Sequence, residues 1–218
     1  VVSFNPPSRG RYLLSSGGML GLGTSCGTCT VFDSNGSITA DLLSGQTSYL
    51  VVRSSYDTTV SVNPVVAPTN DSCATPTTVT AGTPLPGTLV GALDDFCSGG
   101  PDLVYRFTPP STGAYQVSLG GPDASFSGNS FARVESSCGG GDAGYCVNEG
   151  DSVGQNVNFH GTAGGSRFII VDSYYGPGSS FVLTVNPITP PANDTCGGPT
   201  ALTVGVPRAV TVGNGFNH

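Results

Sequence analysis

One pattern occurs twice in this chain and fixes how many folded units it can contain. Asn63-Pro64-Val65-Val66-Ala67-Pro68-Thr69-Asn70-Asp71-Ser72-Cys73 is echoed by Asn186-Pro187-Ile188-Thr189-Pro190-Pro191-Ala192-Asn193-Asp194-Thr195-Cys196, an offset of 123 residues. Each copy follows a Val-rich run, so the pattern reads as a seam between units. The echo extends on both sides. Phe4-Asn5-Pro6-Pro7-Ser8-Arg9-Gly10-Arg11-Tyr12 matches the run from Phe107 to Tyr115, and Thr47–Ser55 matches Ser166–Tyr174. Beyond the second seam, Leu202, Gly205, Pro207 and Thr211 match Val79, Gly82, Pro84 and Thr88. The division expected is residues 1–66 as the later part of a first unit, 67–188 as a complete unit, and 189–218 as the opening strands of a third. His218 then maps onto Asp95 and Val1 onto Val104, so a unit cut in the loop from Phe96 to Leu103 would yield both ends.

Inside the complete unit the apolar residues alternate. Leu103, Tyr105 and Phe107 share a face, as do Tyr115, Val117 and Leu119, then Val157 and Phe159, then Phe181, Leu183 and Val185. A period of two marks strands with one face in a core and one in water. Phe168-Ile169-Ile170-Val171 is apolar on both faces and fits a central strand. Lysine is absent, the seven basic residues are all Arg, and Glu135 and Glu149 are the only glutamates. Gly 33 and Pro 17 punctuate the strands. Good helix formers are therefore scarce, and short strands at roughly ten-residue spacing point to an all-β chain of tandem jelly-roll-like β-sandwiches, one complete and two partial.

The net charge of −7 argues against nucleic acid as a partner, since no Lys/Arg cluster is present. No apolar run reaches bilayer length, so no membrane insertion is expected. Seven cysteines in such a chain point to an oxidising, extracellular or cell-surface setting. The complete unit holds Cys73, Cys97, Cys138 and Cys146, which allow three connectivities. The pairing expected is Cys73–Cys97 and Cys138–Cys146, with Cys26 and Cys29 as the first unit's counterpart of the latter pair. Cys26-Gly27-Thr28-Cys29 also has redox spacing, but lacks the βαβ context of that chemistry. Cys196 is left unpaired in this chain.

No catalytic set stands out. His160 falls on an outward strand face, and neither a Gly-x-Ser-x-Gly elbow nor a His-Glu-x-x-His motif is present. Asp94, Asp95 and Asp102 share one Gly-rich loop region and are candidate calcium ligands, since hard cations take carboxylate and carbonyl oxygens. The competing reading is turn-forming Asp that caps its own backbone. Asp142, Glu149 and Asp151 read as a solvated acidic loop. Asn35, Asn70 and Asn193 head Asn-x-Ser/Thr triplets, the latter two at the seams and expected to be exposed. Tyr56, Tyr174 and Tyr175 fall in loops, where tyrosines serve as platforms for sugars or as ordinary rim residues.

The order Asn-Asp-x-Cys, then Gly82-Thr83-Pro84, then the run from Gly91 to Cys97, then Pro101-Asp102-Leu103-Val104-Tyr105-Arg106-Phe107-Thr108-Pro109 resembles the bacterial pre-peptidase C-terminal (PPC)-like domains. The ending, Phe168–Asp172 followed by a Gly loop and Phe181–Val185, resembles them too. The resemblance implies an exported, non-catalytic, jelly-roll-like sandwich, often in tandem, some relatives of which bind calcium, collagen or carbohydrate. Partial sandwiches at both ends expose strand edges that invite another chain. The function expected is a non-enzymatic structural or adhesive subunit of an extracellular filament, its partners being further copies of itself joined head to tail by strand complementation, or a window of a giant tandem-repeat surface protein. The alternative is a module of a secreted hydrolase or peptidase that binds a surface polysaccharide or protein ligand.

Overall fold

The computed structural model describes residues 1–96, 100–120, 130–138, 156–173, 180–194, 196–210 and 215. Among them every regular element is a strand. The first seven are β1 (Val2–Phe4), β2 (Gly10–Ser16), β3 (Met19–Gly23), β4 (Val31–Asp33), β5 (Ser37–Leu42), β6 (Ser48–Arg53) and β7 (Val60–Val65). They form a four-stranded sheet β1-β6-β3-β4 and a three-stranded sheet β5-β2-β7. Tyr12, Leu14, Ile38 and Leu42 from the smaller sheet meet Leu20, Leu22 and Leu50 from the larger in one core. This is a sandwich of two sheets, each turning its apolar face inward.

The remaining strands are β8 (Thr77–Val79), β9 (Leu85–Thr88), β10 (Asp102–Phe107), β11 (Gly113–Gly120), β12 (Ser130–Glu135), β13 (Asn156–Gly161), β14 (Arg167–Ser173) and β15 (Ser180–Pro187). They make two four-stranded sheets, β12-β14-β10-β8 and β13-β11-β15-β9. The all-apolar run Phe168–Val171 lies in β14, an interior strand as its sequence demands. Every inward residue named from the period of two is buried, but Val104, on the opposite face of β10, is buried as well. The cause is Asn70. Its carbonyl accepts the Val104 N–H at 2.8 Å, and its side-chain amide donates to the Val104 carbonyl at 3.1 Å, closing the sheet edge just beyond β8.

The two sandwiches use the same local devices. In the turn before β2, the Tyr12 hydroxyl donates to the Ser8 carbonyl at 2.9 Å, and before β11 the Tyr115 hydroxyl donates to the Ser111 carbonyl at 2.8 Å. Each tyrosine packs edge-on against the phenylalanine at the motif's start, with ring centres 5.7 Å apart for Phe4–Tyr12 and 5.2 Å for Phe107–Tyr115. Such a hydroxyl-to-backbone corner fixes where a sandwich strand begins.

The cysteines depart from expectation. Cys73 is bonded to Cys138, with Cα atoms 5.7 Å apart, and neither to Cys97 nor to a hairpin partner. Pairing is decided by which backbones approach to disulfide reach, and the chain leaving β12 turns back onto the segment between Asn70 and β8. Both expected pairs, Cys73–Cys97 and Cys138–Cys146, are thereby excluded; Cys97 and Cys146 themselves lie outside the described residues. The bridge closes a separation of 65 residues, worth about 4 kcal/mol by loop entropy. Cys26 and Cys29 are free, exposed thiols rather than a pair. The β3–β4 register sets Leu22 against Val31, and Ser25 bridges Thr28, so Cys26 and Gly27 (φ +91°) form the two-residue tip. Continued outward from Leu22–Val31, that register sets Cys29 opposite Thr24, not opposite Cys26.

Arg11 joins the two sandwiches. From β2 it pairs with Asp41 on β5 at 2.9 Å and with Asp71 at the seam, and it donates to the Gly91 carbonyl at 3.0 Å. Asp71 also accepts the Leu93 N–H at 2.9 Å. The hydrogen bond from Arg11 holds the Asp41 carboxyl below its usual range, and the bond to Asp41 raises the guanidinium in turn. Replacing Arg11 by Ala leaves the Asp71 carboxylate, 9% exposed, without its cation. The expected cost is on the order of 2 kcal/mol. Thermal unfolding of Arg11→Ala should show an earlier transition of the first sandwich, and small-angle scattering a wider spread of interdomain distances.

Candidate functional site

Two sheet edges in the first sandwich lack what covers them in the second. There, β8 runs parallel to β10, and β9 runs antiparallel to β15. In the first sandwich β1 and β7 occupy the corresponding edges, and no described strand pairs with their outer sides. The exposure follows. Val1 and Val2 are 72% and 47% exposed, whereas Val104 and Tyr105, which they match in sequence, are 0% and 2% exposed. Val60 and Val62 only partly cover their core, while Leu183 and Val185 at the matching positions of β15 are fully buried.

The segment past the second seam is the converse. Residues 196–210 contain no strand, and Leu202, Val204, Val206 and Val210 are 75%, 101%, 60% and 57% exposed. Yet its turn is already shaped. Gly205 has φ +75° and the Val206 N–H donates to the Thr203 carbonyl at 3.1 Å. Gly82 has φ +75° and the Thr83 N–H donates to the Thr80 carbonyl at 3.2 Å, in the turn linking β8 to β9. Positive φ at both places requires glycine. Further on, the Gly215 carbonyl accepts from the Asn158 side chain at 2.9 Å on β13.

The calcium candidates divide. Asp102, the first residue of β10, caps the loop: its Oδ2 accepts the N–H groups of Asp95 and Phe96 at 2.9 and 3.0 Å. Asp94 and Asp95 are exposed. What the sequence reading missed is Asp172, which faces Asp102 across the β10–β14 ladder and is 2% exposed. Asp102 Oδ1 and both Asp172 oxygens are buried without a hydrogen-bond partner among the described residues. The donor set is of the kind a hard cation takes, but among the described residues no three acidic, His or Cys side chains are arranged around a metal position. The available signal was an acid closing an otherwise apolar run, Phe168–Asp172.

Burial pushes the Asp102 carboxyl up to about 7, against the opposing pull of two backbone N–H groups. Burial, then the charge of Asp102, pushes Asp172 up to about 8, and the positive charge of Arg133 offsets this only in part. An unfolded aspartate titrates near 3.9, so across roughly pH 4–8 the folded state holds protons that the unfolded state has released. The pair's contribution to stability therefore falls as pH rises through that window and levels off above about 8. In chelator-treated protein, the melting temperature relative to Asp172→Asn should fall between about pH 5 and about pH 8, because the amide keeps the protonated shape at all pH. A flat difference would contradict the assignment.

The other candidates fall as follows. The seam residue Asn70 is 7% exposed and its amide is committed to Val104, so it is not the exposed acceptor expected; Asn193 is exposed, as is Asn35 in its turn. Tyr56 is 86% exposed. His160 is exposed on β13. Tyr174, Tyr175, Asp142, Glu149 and Asp151 lie outside the described residues.

No protein-family model and no curated protein matches this chain. Among solved structures it is similar to the pre-peptidase C-terminal domain of a collagenase from Bacillus anthracis, at 18% identity and a TM-score of 0.34, over 50% of this chain and 92% of that one. The chain is an all-β protein of sandwich architecture, with four sheets among its described residues.

Proposed function

We propose that this protein is a non-catalytic structural subunit of an extracellular filament, in which residues 193–218 of one copy complete the first sandwich of the next. The observation that carries this is the correspondence between two open edges and one exposed, pre-turned segment. Transferring the second sandwich's registers gives the contact in detail. Tyr105, Arg106 and Phe107 face Thr77, Thr78 and Val79, so Val2, Ser3 and Phe4 would face Thr200, Ala201 and Leu202 in parallel. Leu183, Val182 and Phe181 face Leu85, Pro86 and Gly87, so Val60, Thr59 and Thr58 would face Arg208, Ala209 and Val210 in antiparallel. Asn193 would clamp Val1 as Asn70 clamps Val104.

Side-chain volume supports the same register. A Cβ on Gly87 would sit 2.5 Å from the Phe181 ring and 2.6 Å from the Tyr105 hydroxyl, so only glycine fits there. At the junction the three positions are Val210, Thr58 and Val2. The small residue has become larger, and both large residues have become smaller, as exchange within a packed core requires. Such a contact is heterologous and need not close, which makes filaments rather than discrete oligomers.

The test is sedimentation and negative-stain microscopy under reducing conditions. The chain 1–218 should form elongated assemblies, and deletion of residues 196–218 should leave discrete monomers. An excess of free peptide 193–218 should cap growth. Equal assembly by the deleted chain, or a strictly monomeric full chain at high concentration, would overturn the proposal.

A further inference from the structure

The observed disulfide assigns a partner to the stranded cysteine. Cys196 occupies the place of Cys73, at the end of the repeated Asn-Asp-Ser/Thr-Cys seam. The partner of Cys73 is Cys138, and the strand registers say what corresponds to it. Glu135 at the end of β12 faces Phe168 of β14, and Gly23 at the end of β3 faces Tyr49 of β6. Phe168 and Tyr49 are matching residues of the repeated run Ser166–Tyr174 and Thr47–Ser55. Glu135 therefore corresponds to Gly23, and Cys138, three residues on, corresponds to Cys26. Both Cys26 and Cys196 are free and exposed.

We infer that Cys196 of one copy forms a disulfide with Cys26 of the next, welding the strand-completed junction covalently. The inference rests on the strand-completion reading and adds a bond to it. The site is built for this bond in two respects. Cys26 sits at the tip of the β3–β4 hairpin, with Gly27 at φ +91° beside it, so its thiol is held on a tight turn in solvent. In the second sandwich the corresponding two segments bring their Cα atoms to 5.7 Å, within the span a disulfide needs. Docking in the register above recreates that approach between copies. The chemistry is a two-electron oxidation. The two thiols lose two protons and two electrons to a disulfide oxidant such as oxidised glutathione, which leaves as two reduced thiols. Cys29, three residues from Cys26 and opposite Thr24, has no counterpart in this bond and stays a thiol.

The experiment oxidises the full-length chain with glutathione disulfide and reads non-reducing gels, with peptide mapping of the linked bands. The expected result is a ladder of multimers that collapses on reduction, with one linked peptide joining Cys26 to Cys196. Cys26→Ala and Cys196→Ala should each abolish the ladder, while Cys29→Ala keeps it. All three variants should still form the assemblies seen under reducing conditions, which separates loss of the bond from loss of docking. Assemblies that stay non-covalent after oxidation overturn the disulfide and leave strand completion standing. Absence of assembly in any condition overturns both. A Cys26–Cys29 link, a Cys196–Cys196 link, or a Cys26–Cys196 link within one monomer also overturns it.

Discussion

The backbone ladder at a sheet edge is the constraint from which the rest of this structure follows. An edge strand has paired only half of its N–H and carbonyl groups, and its side chains sit where the core runs out. In the second sandwich β8 and Asn70 cover β10, and β9 covers β15. The backbone N–H and carbonyl of Val104 are then both paired. In the first sandwich β1 and β7 hold those same places bare; Val2 is 47% exposed, and Val60 and Val62 are only partly buried. One difference in ladder coverage accounts for the contrast between two otherwise similar cores.

How much of this was legible beforehand depended on the range of the interaction. Strand alternation is local, and the inward sets Leu103-Tyr105-Phe107 and Phe181-Leu183-Val185 are buried as their period requires. The central strand announced itself by being apolar on both faces. The disulfide did not, because the Cys73–Cys138 contact joins segments 65 residues apart and depends on how the chain leaves β12. Spacing favoured the nearer partners and was wrong. The match of Cys26 and Cys29 to Cys138 and Cys146 was read from the sequence, but which residue answers to which needed the structure. Loops of unequal length shift the repeat's offset along the chain, and only the facing residues across β6 and β14 restore the alignment.

The carboxylates show a second limit of sequence reading. Asp94, Asp95 and Asp102 drew attention because they cluster in the chain, yet Asp102 spends one oxygen capping that loop. Its electrostatic partner, Asp172, comes from the far side of a strand ladder. Two buried acids facing each other across a ladder cannot both be charged at little cost, and burial raises both. Cross-strand juxtaposition is a property of register, which a single strand's sequence does not contain.

Arg11 has a mechanical meaning in the proposed fibre. It locks the joint between the first and second sandwiches through Asp41, Asp71 and the Gly91 carbonyl. The residue at the matching position of β11 is Ala114, so the joint made with the following copy has no such lock. Along the fibre, pinned and unpinned joints would then alternate. Bending would concentrate at every second joint, and pulling would be borne in turn by the covalent chain within each copy and by the completed strand edges between copies.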